Sequence, residues 1–257
     1  MKKFSSFLLV LLLMLASFTA GVQYPRGDVN YDGQVSISDV TCLIDYLLSG
    51  AWPEEPVTPD EHEWVDLGLP SGTLWATCNV GATAPEEYGD YFAWGETAPK
   101  DYYDWSTYKW CNGSYNTLTK YCTYSSYGYN GFVDNMTELD PEDDVAYVNW
   151  GASWRMPSLE QIQELCNSCS WQWTQRNGVS GQLVTGPNGN TMFLPAAGGR
   201  WYDSLYYAGS DGYYWSRTLY SGSPDYAVYL DFSSGGWYDW GSGRRYSGPT
   251  VRAVRVS

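Results

Sequence analysis

The sequence predicts an α+β fold made of many short strands and few helices. Three features carry that expectation. From Glu63 onward, aromatic and β-branched runs of strand length are broken repeatedly by Gly, Asn, Asp and Ser. A single stretch after Pro157 has helical spacing of its apolar residues. Near the C-terminus, YAVYLDF and TVRAVRV alternate with the two-residue period of a half-buried strand.

Taken in order, VDLGLPSGTLWATCNVGA (Val65 to Ala82) reads as a strand, a turn and a second strand. The helix begins where Ser158 can cap and Gln161, three residues on, can reach back, and Leu159, Ile162, Leu165 and Cys166 form its buried stripe. Trp171 and Trp173 follow at strand alternation. LVTGPNGNTMFLP is a hairpin turning around Pro187 to Asn190. Trp75, Trp94, Trp154 and Trp215 sit between apolar residues and are assigned to the core.

Charge divides the 257 residues unequally. From Gly21 to Ala146 there are 22 acidic and 4 basic residues, whereas Tyr147 to Ser257 holds 7 acidic and 8 basic, all eight of them Arg. A formal net charge of -15 argues against a nucleic-acid binder, which needs cations for the phosphates. Aromatics reach 18%, mostly 24 Tyr and 14 Trp, which argues against disorder and for surfaces that bind.

Residues 1–21 read as a secretory signal. Lys2 and Lys3 are its charged start, and Phe7 to Ala16 is an apolar run too short to span a bilayer. A cut after Ala20 places Phe18 at the -3 position, and a cut after Gly21 places Thr19 there. The expectation is a secreted or cell-surface protein with no membrane span once the signal is removed. Export permits disulfides, and Cys42, Cys78, Cys111, Cys122, Cys166 and Cys169 allow 15 complete pairings. Cys111 and Cys122 flank one Tyr-rich turn and could close a short loop. Cys166-x-x-Cys169 lacks a second such pair or a nearby His, so structural cysteines are expected there.

Behind the signal, GDVNYDGQVSISDVTCLIDYLLSG places Asp28, Asn30 and Asp32 at alternate positions of a loop, with Gly33 at the sharp turn. Gln34 can offer its carbonyl, Ser36 falls at the ninth position and Asp39 closes the loop at the twelfth. Alternating oxygens on a tight loop suit a hard cation, so Ca2+ is the expected cofactor. The alternative is an Asx-rich turn that caps a helix without metal. Val40, Leu43, Ile44, Leu47 and Leu48 continue at helical spacing. Residues 24–50 resemble a single type I dockerin repeat, in which a Ca2+ loop closed by Asp feeds one helix, and the resemblance implies a cohesin-like docking partner. Residues 51–62 are an acidic, Pro-rich linker.

Across 63–257 the string EWVDLGLPSGTLWATCNVGA, EEYGDYFAWGET, VNWGASWRMPSLEQIQEL, FLPAAGGR, GYYWSRT and YSGPTVRAVRV resembles the Fibrobacter succinogenes major paralogous domain. The resemblance implies a C-type-lectin-like fold of short twisted strands with few helices, similar to the variable proteins of diversity-generating retroelements. It implies a scaffold that displays a ligand surface.

Between Gly198 and Pro249, Tyr, Trp, Gly and Ser fill 33 of 52 positions, the composition of an antibody-like contact surface. Candidate contacts are Tyr202, Tyr206, Tyr207, Tyr213, Tyr214, Tyr220, Trp237, Tyr238, Trp240, Arg244, Arg245 and Tyr246, and the partner is a glycan or a protein. Phe193, Leu194, Trp215, Val228, Leu230, Phe232, Val251 and Val254 are scaffold. The acidic cluster Glu138, Asp140, Glu142, Asp143 and Asp144 is either a solvated loop or a second Ca2+ site.

An enzyme needs a nucleophile with its base, an acid–base pair or a catalytic metal. His62 is the one His in the chain, which removes triads and His-based zinc sites. Two carboxylates suffice for a glycosidase, and acids are plentiful, so composition leaves that class open. The expectation is a non-enzymatic binder. The runner-up is a dockerin-bearing accessory of a polysaccharide-degrading system.

Overall fold

The computed structural model describes residues 39–40, 43–44 and 62–255, with the side chains of 236–239 left aside. The chain divides into two units, Met1–Glu61 and His62–Ser257. In the first, Asp39, Val40, Leu43 and Ile44 are helical, as their spacing predicts. Asp39 is buried, while Val40 and Ile44 are half exposed. The signal segment, the linker and the calcium-loop residues Asp28, Asn30, Asp32, Gln34 and Ser36 lie outside the described residues. Among the described residues no helix is long and apolar enough to cross a membrane.

The second unit is mostly strand with few helices, an α+β architecture. All of its strand pairings are antiparallel. Strands β1 (Trp64–Asp66) and β2 (Leu74–Ala76) open the domain as predicted, and the last strand, β12 (Val254–Arg255), inserts between β2 and β3 (Trp154–Arg155). The ends of the domain therefore meet in one four-stranded sheet. A second sheet is β4 (Ser170–Arg176), β5 (Val179–Thr185) and β6 (Thr191–Pro195). Its β5–β6 hairpin closes with Thr185 opposite Thr191, around the Pro187–Asn190 turn. A third has the order β11 (Gly236–Arg244), β10 (Tyr226–Ser233), β9 (Asp211–Leu219). A small hairpin, β7 (Gly199–Trp201) with β8 (Ser204–Tyr206), precedes it.

Helix α1 (Val145–Trp150) and helix α2 (Leu159–Ser168) complete the domain. In α2 the Ser158 hydroxyl accepts from the Gln161 amide at 3.2 Å and the Gln161 side chain accepts from the Ser158 amide at 2.9 Å, the reciprocal cap that the sequence predicts. Its buried residues are Ile162, Leu165 and Cys166.

Helix α1 was not anticipated, because six residues are too few to display an apolar stripe. The acidic cluster before it divides: Glu138 and Glu142 are exposed and Asp140 is half-buried, as a solvated loop predicts, whereas Asp143 and Asp144 are buried. Asp144 is fully buried and accepts backbone N–H bonds from Ala146 (2.9 Å), Tyr147 (3.3 Å) and Met156 (2.8 Å), so it caps α1 and fastens it to β3. Burial pushes the Asp144 carboxyl up to about 6 against those hydrogen bonds. Asp143, also buried, accepts from the Tyr121 hydroxyl at 2.7 Å and pairs with Lys120 at 2.7 Å and Lys109 at 3.3 Å. These acids could leave water only because donors surround them.

The core has three neighbourhoods. One is built on Trp94, Trp154 and Trp215, one on Trp75, Ile162, Leu165, Tyr214 and Phe232, and one on Tyr103, Tyr108, Leu118 and Tyr246. The four Trp assigned to the core are each at most 1% exposed. Each such ring removes about 150–250 Å2 from water, roughly 4–6 kcal/mol of driving force before entropy is counted. The predicted scaffold residues Phe193, Leu194, Val228, Leu230, Phe232, Val251 and Val254 are buried as well.

TVRAVRV departs from its predicted alternation. Val251, Arg252, Ala253 and Val254 are all buried, and only Val254–Arg255 pairs as a strand, because the segment is enclosed on every side and Arg252 finds acceptors inside. The five described cysteines carry free thiols. Cys111 and Cys122 do not close a loop. Their Sγ atoms each donate to a carbonyl at 3.2 Å, Cys111 to Trp105 and Cys122 to Tyr124.

Replacing Asp144 with Ala should lower unfolding stability by about 1–3 kcal/mol, because three buried amides lose their acceptor. Urea denaturation measures this, and a loss below the error of the midpoint would contradict the assignment.

Candidate binding face

The β7–β8 hairpin places the first aromatic side chains. Trp201 pairs with Ser204 across a two-residue connection, Tyr202 and Asp203. Tyr202 has φ 57, in the left-handed region that a side chain disfavours. Two backbone hydrogen bonds with Tyr103, at 2.8 and 2.9 Å, hold it there. Tyr207, just after the hairpin, has φ 61, and its carbonyl accepts from the amides of Ser210 (3.1 Å) and Asp211 (2.9 Å). Each left-handed Tyr costs on the order of 1–2 kcal/mol relative to a relaxed backbone. Gly198 fixes the return of the chain. A Cβ there would lie 2.1 Å from the Tyr206 carbonyl oxygen, so only Gly fits.

Beside the hairpin, the β9–β10 pairing sets Tyr213 opposite Asp231 and Trp215 opposite Tyr229. Alternation puts Asp211, Tyr213 and Trp215 on one side of β9, with Tyr229 and Asp231 across from them. The other side carries Tyr214, Leu230 and Phe232 into the core. Trp201 lies edge-on to Tyr213 (centroids 5.8 Å), Tyr206 (6.0 Å) and Tyr207 (6.3 Å). Tyr213 meets Tyr207 at 6.4 Å and Tyr229 at 5.5 Å, and Tyr229 meets the buried Trp215 at 5.7 Å. The rings thus run without interruption from the hairpin down to the core. Tyr229 lies against β11, where Cβ atoms at Gly241 and Gly243 would come within 2.5 and 2.6 Å of its ring. The Gly-Ser-Gly of that strand makes room for it.

Electrostatically the face is acidic. Burial, and then Asp211 and Asp231, push the Tyr213 hydroxyl above its ordinary range. Burial, followed by Asp231, pushes Tyr229 up to about 12. Burial first, and Asp211 second, hold the Asp231 carboxyl above the usual carboxylate range.

The predicted contacts divide into four groups. Tyr202, Tyr206 and Tyr207 are exposed, Tyr202 tilted against Tyr102 at 5.9 Å, and Tyr213 forms the half-buried floor between Tyr207 and the core. Tyr220 and Trp240 pair with each other at 6.0 Å, and Arg244 lies over Tyr226 at 5.8 Å. Among the described residues no ring contact joins these to the Trp201 cluster. The side chains of Trp237 and Tyr238 lie outside the described residues. Tyr214, Arg245 and Tyr246 are corrections, because all three are buried and cannot touch a ligand on this surface. Tyr214 stacks on Phe232 and donates to the Pro195 carbonyl at 2.6 Å. Tyr246 packs edge-on to Trp105 at 5.1 Å, and Arg245 is enclosed by rings and carbonyls.

Trp201, Tyr229, Asp211 and Asp231 belong to the face and were not among the predicted contacts. The alternation of YAVYLDF carried the signal for two of them, since Tyr229 and Asp231 fall on the side opposite Val228, Leu230 and Phe232. Among the described residues no group of three or more His, Cys, Asp or Glu could hold a metal ion.

No family model matches the chain, and neither a curated protein nor a solved structure does.

The tyrosines give this architecture an alkaline limit. Burial raises Tyr91, Tyr108, Tyr121, Tyr213, Tyr214 and Tyr229 above 10, the value they would have in an unfolded chain. The folded state then keeps protons that the unfolded state releases, so the tyrosines' contribution to stability is complete below pH 10 and falls as pH rises beyond it. Arg252, lowered to about 10 by burial, opposes this with one group against six. Denaturation midpoints that stay level well above pH 10, or tyrosinate absorbance that rises in a single step near 10, would contradict the burial pattern.

Proposed function

We propose that this chain is a secreted or cell-surface ligand-binding protein, and that the surface formed by Tyr202, Tyr206, Tyr207, Tyr213 and Tyr229 recognises a glycan or protein partner. The observation that carries the proposal is the unbroken ring cluster around Trp201, which ends in two exposed Tyr, Tyr206 (43%) and Tyr207 (59%), with the exposed Tyr202 at the tip of the same hairpin. Large rigid rings provide contact area at little entropic cost, and hydroxyls on their edges give direction. Two of the exposed rings sit on left-handed backbone, where Gly would be more stable. Strain kept at an exposed position is better explained by recognition than by folding.

The finer fold we assign is C-type-lectin-like, on the strength of the motifs between Glu63 and Ser257. The reading treats residues 24–50 as a Ca2+ repeat with docking capacity, its donors being Asp28, Asn30, Asp32, Gln34, Ser36 and Asp39. The reading is non-enzymatic. The one imidazole, His62, stacks on Trp150 with centroids 3.9 Å apart, a packing role.

Screening the mature chain on glycan arrays and against surface-protein extracts identifies the ligand class. The Tyr206→Ala/Tyr207→Ala variant should lose at least about tenfold in affinity, as expected for aromatic anchors, while Tyr220→Ala/Trp240→Ala should not. Tyr202→Gly should raise stability by about 1 kcal/mol while weakening binding. Equal binding by the wild type and the Tyr206/Tyr207 variant would overturn this choice of face.

A further inference from the structure

Among the described residues the aromatic face carries two carboxylates and no cation of its own. Asp231 stands opposite Tyr213 on β10, and Asp211 lies two residues from Tyr213 on β9, so both acids border the same ring. Asp211 accepts from the Ser210 hydroxyl. Among the described residues no hydrogen bond or ion pair reaches the half-buried Asp231 carboxylate. The cations on the neighbouring strands are committed elsewhere. Arg200 lies over the Tyr91 ring at 5.3 Å, and Arg217 pairs with Glu138 at 3.0 Å and donates to the Met156 carbonyl at 3.1 Å. Bringing like charges to one half-buried spot is unfavourable unless something positive shares it. The rings around the pair, Tyr207, Tyr213 and Tyr229, offer π faces, and such faces attract cations.

We infer that the face receives an arginine side chain from a protein partner, its guanidinium stacking on Tyr213 and Tyr229 and bonding to Asp211 and Asp231. Arginine fits better than lysine, because a planar guanidinium stacks on a ring while its fork of N–H groups meets carboxylates. This rests on the proposed binding role of the face and names its partner chemistry.

The test titrates the mature full chain with a Gly-spaced tetra-arginine peptide, the matching citrulline peptide and a chitosan oligosaccharide. The arginine peptide should bind, and the citrulline peptide, equal in shape but neutral, should bind at least about tenfold more weakly. Asp211→Asn/Asp231→Asn should weaken arginine binding by about tenfold as well. Glu63→Gln/Asp101→Asn removes two exposed acids elsewhere and should change it less than about twofold, which separates the site from the general attraction of an acidic protein. Circular dichroism and melting temperature confirm that the variants fold. Equal binding of citrulline and arginine, an Asp variant no weaker than the control variant, or binding of chitosan alone would each overturn the inference. If the Tyr206→Ala/Tyr207→Ala variant loses ligand while the Asp variant keeps it, the arginine inference fails and the binding face stands. If the Tyr variant keeps ligand too, the face itself is wrong.

Discussion

Arg245 is a positive charge with no solvent contact and no carboxylate among its hydrogen-bond partners, and much of the domain is arranged around it. Its guanidinium donates to the Tyr108 hydroxyl (2.8 Å) and to the carbonyls of Tyr121 (3.1 Å), Pro224 (2.9 Å) and Lys120 (3.0 Å). It also lies over the rings of Trp94 (5.0 Å), Tyr108 (5.2 Å) and Tyr121 (5.7 Å). An isolated buried charge costs many kcal/mol, so the arrangement is tolerable only because every side of the guanidinium is met. Segments distant in sequence, near residues 94, 108, 121 and 224, are thereby held to the end of β11. Arg252 repeats the device on the other sheet, donating to Asn79 Oδ1 (2.8 Å) and to the carbonyls of Ala76, Thr77 and Phe193. Long loops that already bury rings such as Trp94, Tyr108 and Tyr121 are fixed further by cations reading their carbonyls.

That arrangement positions the proposed binding face. Strand β11 supplies Gly241 and Gly243, on which Tyr229 lies, and runs directly into the Arg245 anchor. The floor of the face, Trp215, donates its indole N–H to the Phe92 carbonyl at 2.8 Å, and Trp94, under the Arg245 guanidinium, donates to the Ser216 carbonyl at 2.8 Å. The half-buried rings therefore rest on a rigid support, while the β7–β8 hairpin adds exposed rings at its tip. Exposed rings over a braced floor suit the proposed recognition role, because rigid aromatic contact area costs little entropy on binding.

Local signals in the sequence described much of this. The Ser158–Gln161 cap, the hairpin at Pro187 to Asn190 and the core Trp residues follow from short-range chemistry, in which each residue's role depends on neighbours a few positions away. Arg245 and Asp143 escape a reading of the sequence for one reason. Charged residues are ordinarily exposed, and the partners that allow these two to be buried lie far along the chain. Asp143 is satisfied by Tyr121 and Lys120, and Arg245 by residues more than 20 positions away, so nothing near them in sequence announces their burial. The aromatic face around Trp201 was half legible. Composition pointed to Tyr206, Tyr207 and Tyr213, but their gathering around Trp201 depends on where the hairpin folds back onto β9.

The aromatic residues thus divide between a cation-centred core and an exposed surface, the one proposed for recognition. Hydroxyl-radical footprinting of the intact chain, read residue by residue by mass spectrometry, tests that division directly. Tyr202, Tyr206 and Tyr207 should be oxidised readily, while Tyr103, Tyr108, Tyr121, Tyr214 and Tyr246 should be protected until the chain unfolds. Oxidation of Tyr246 or Tyr108 as fast as Tyr207 in the native protein would contradict it.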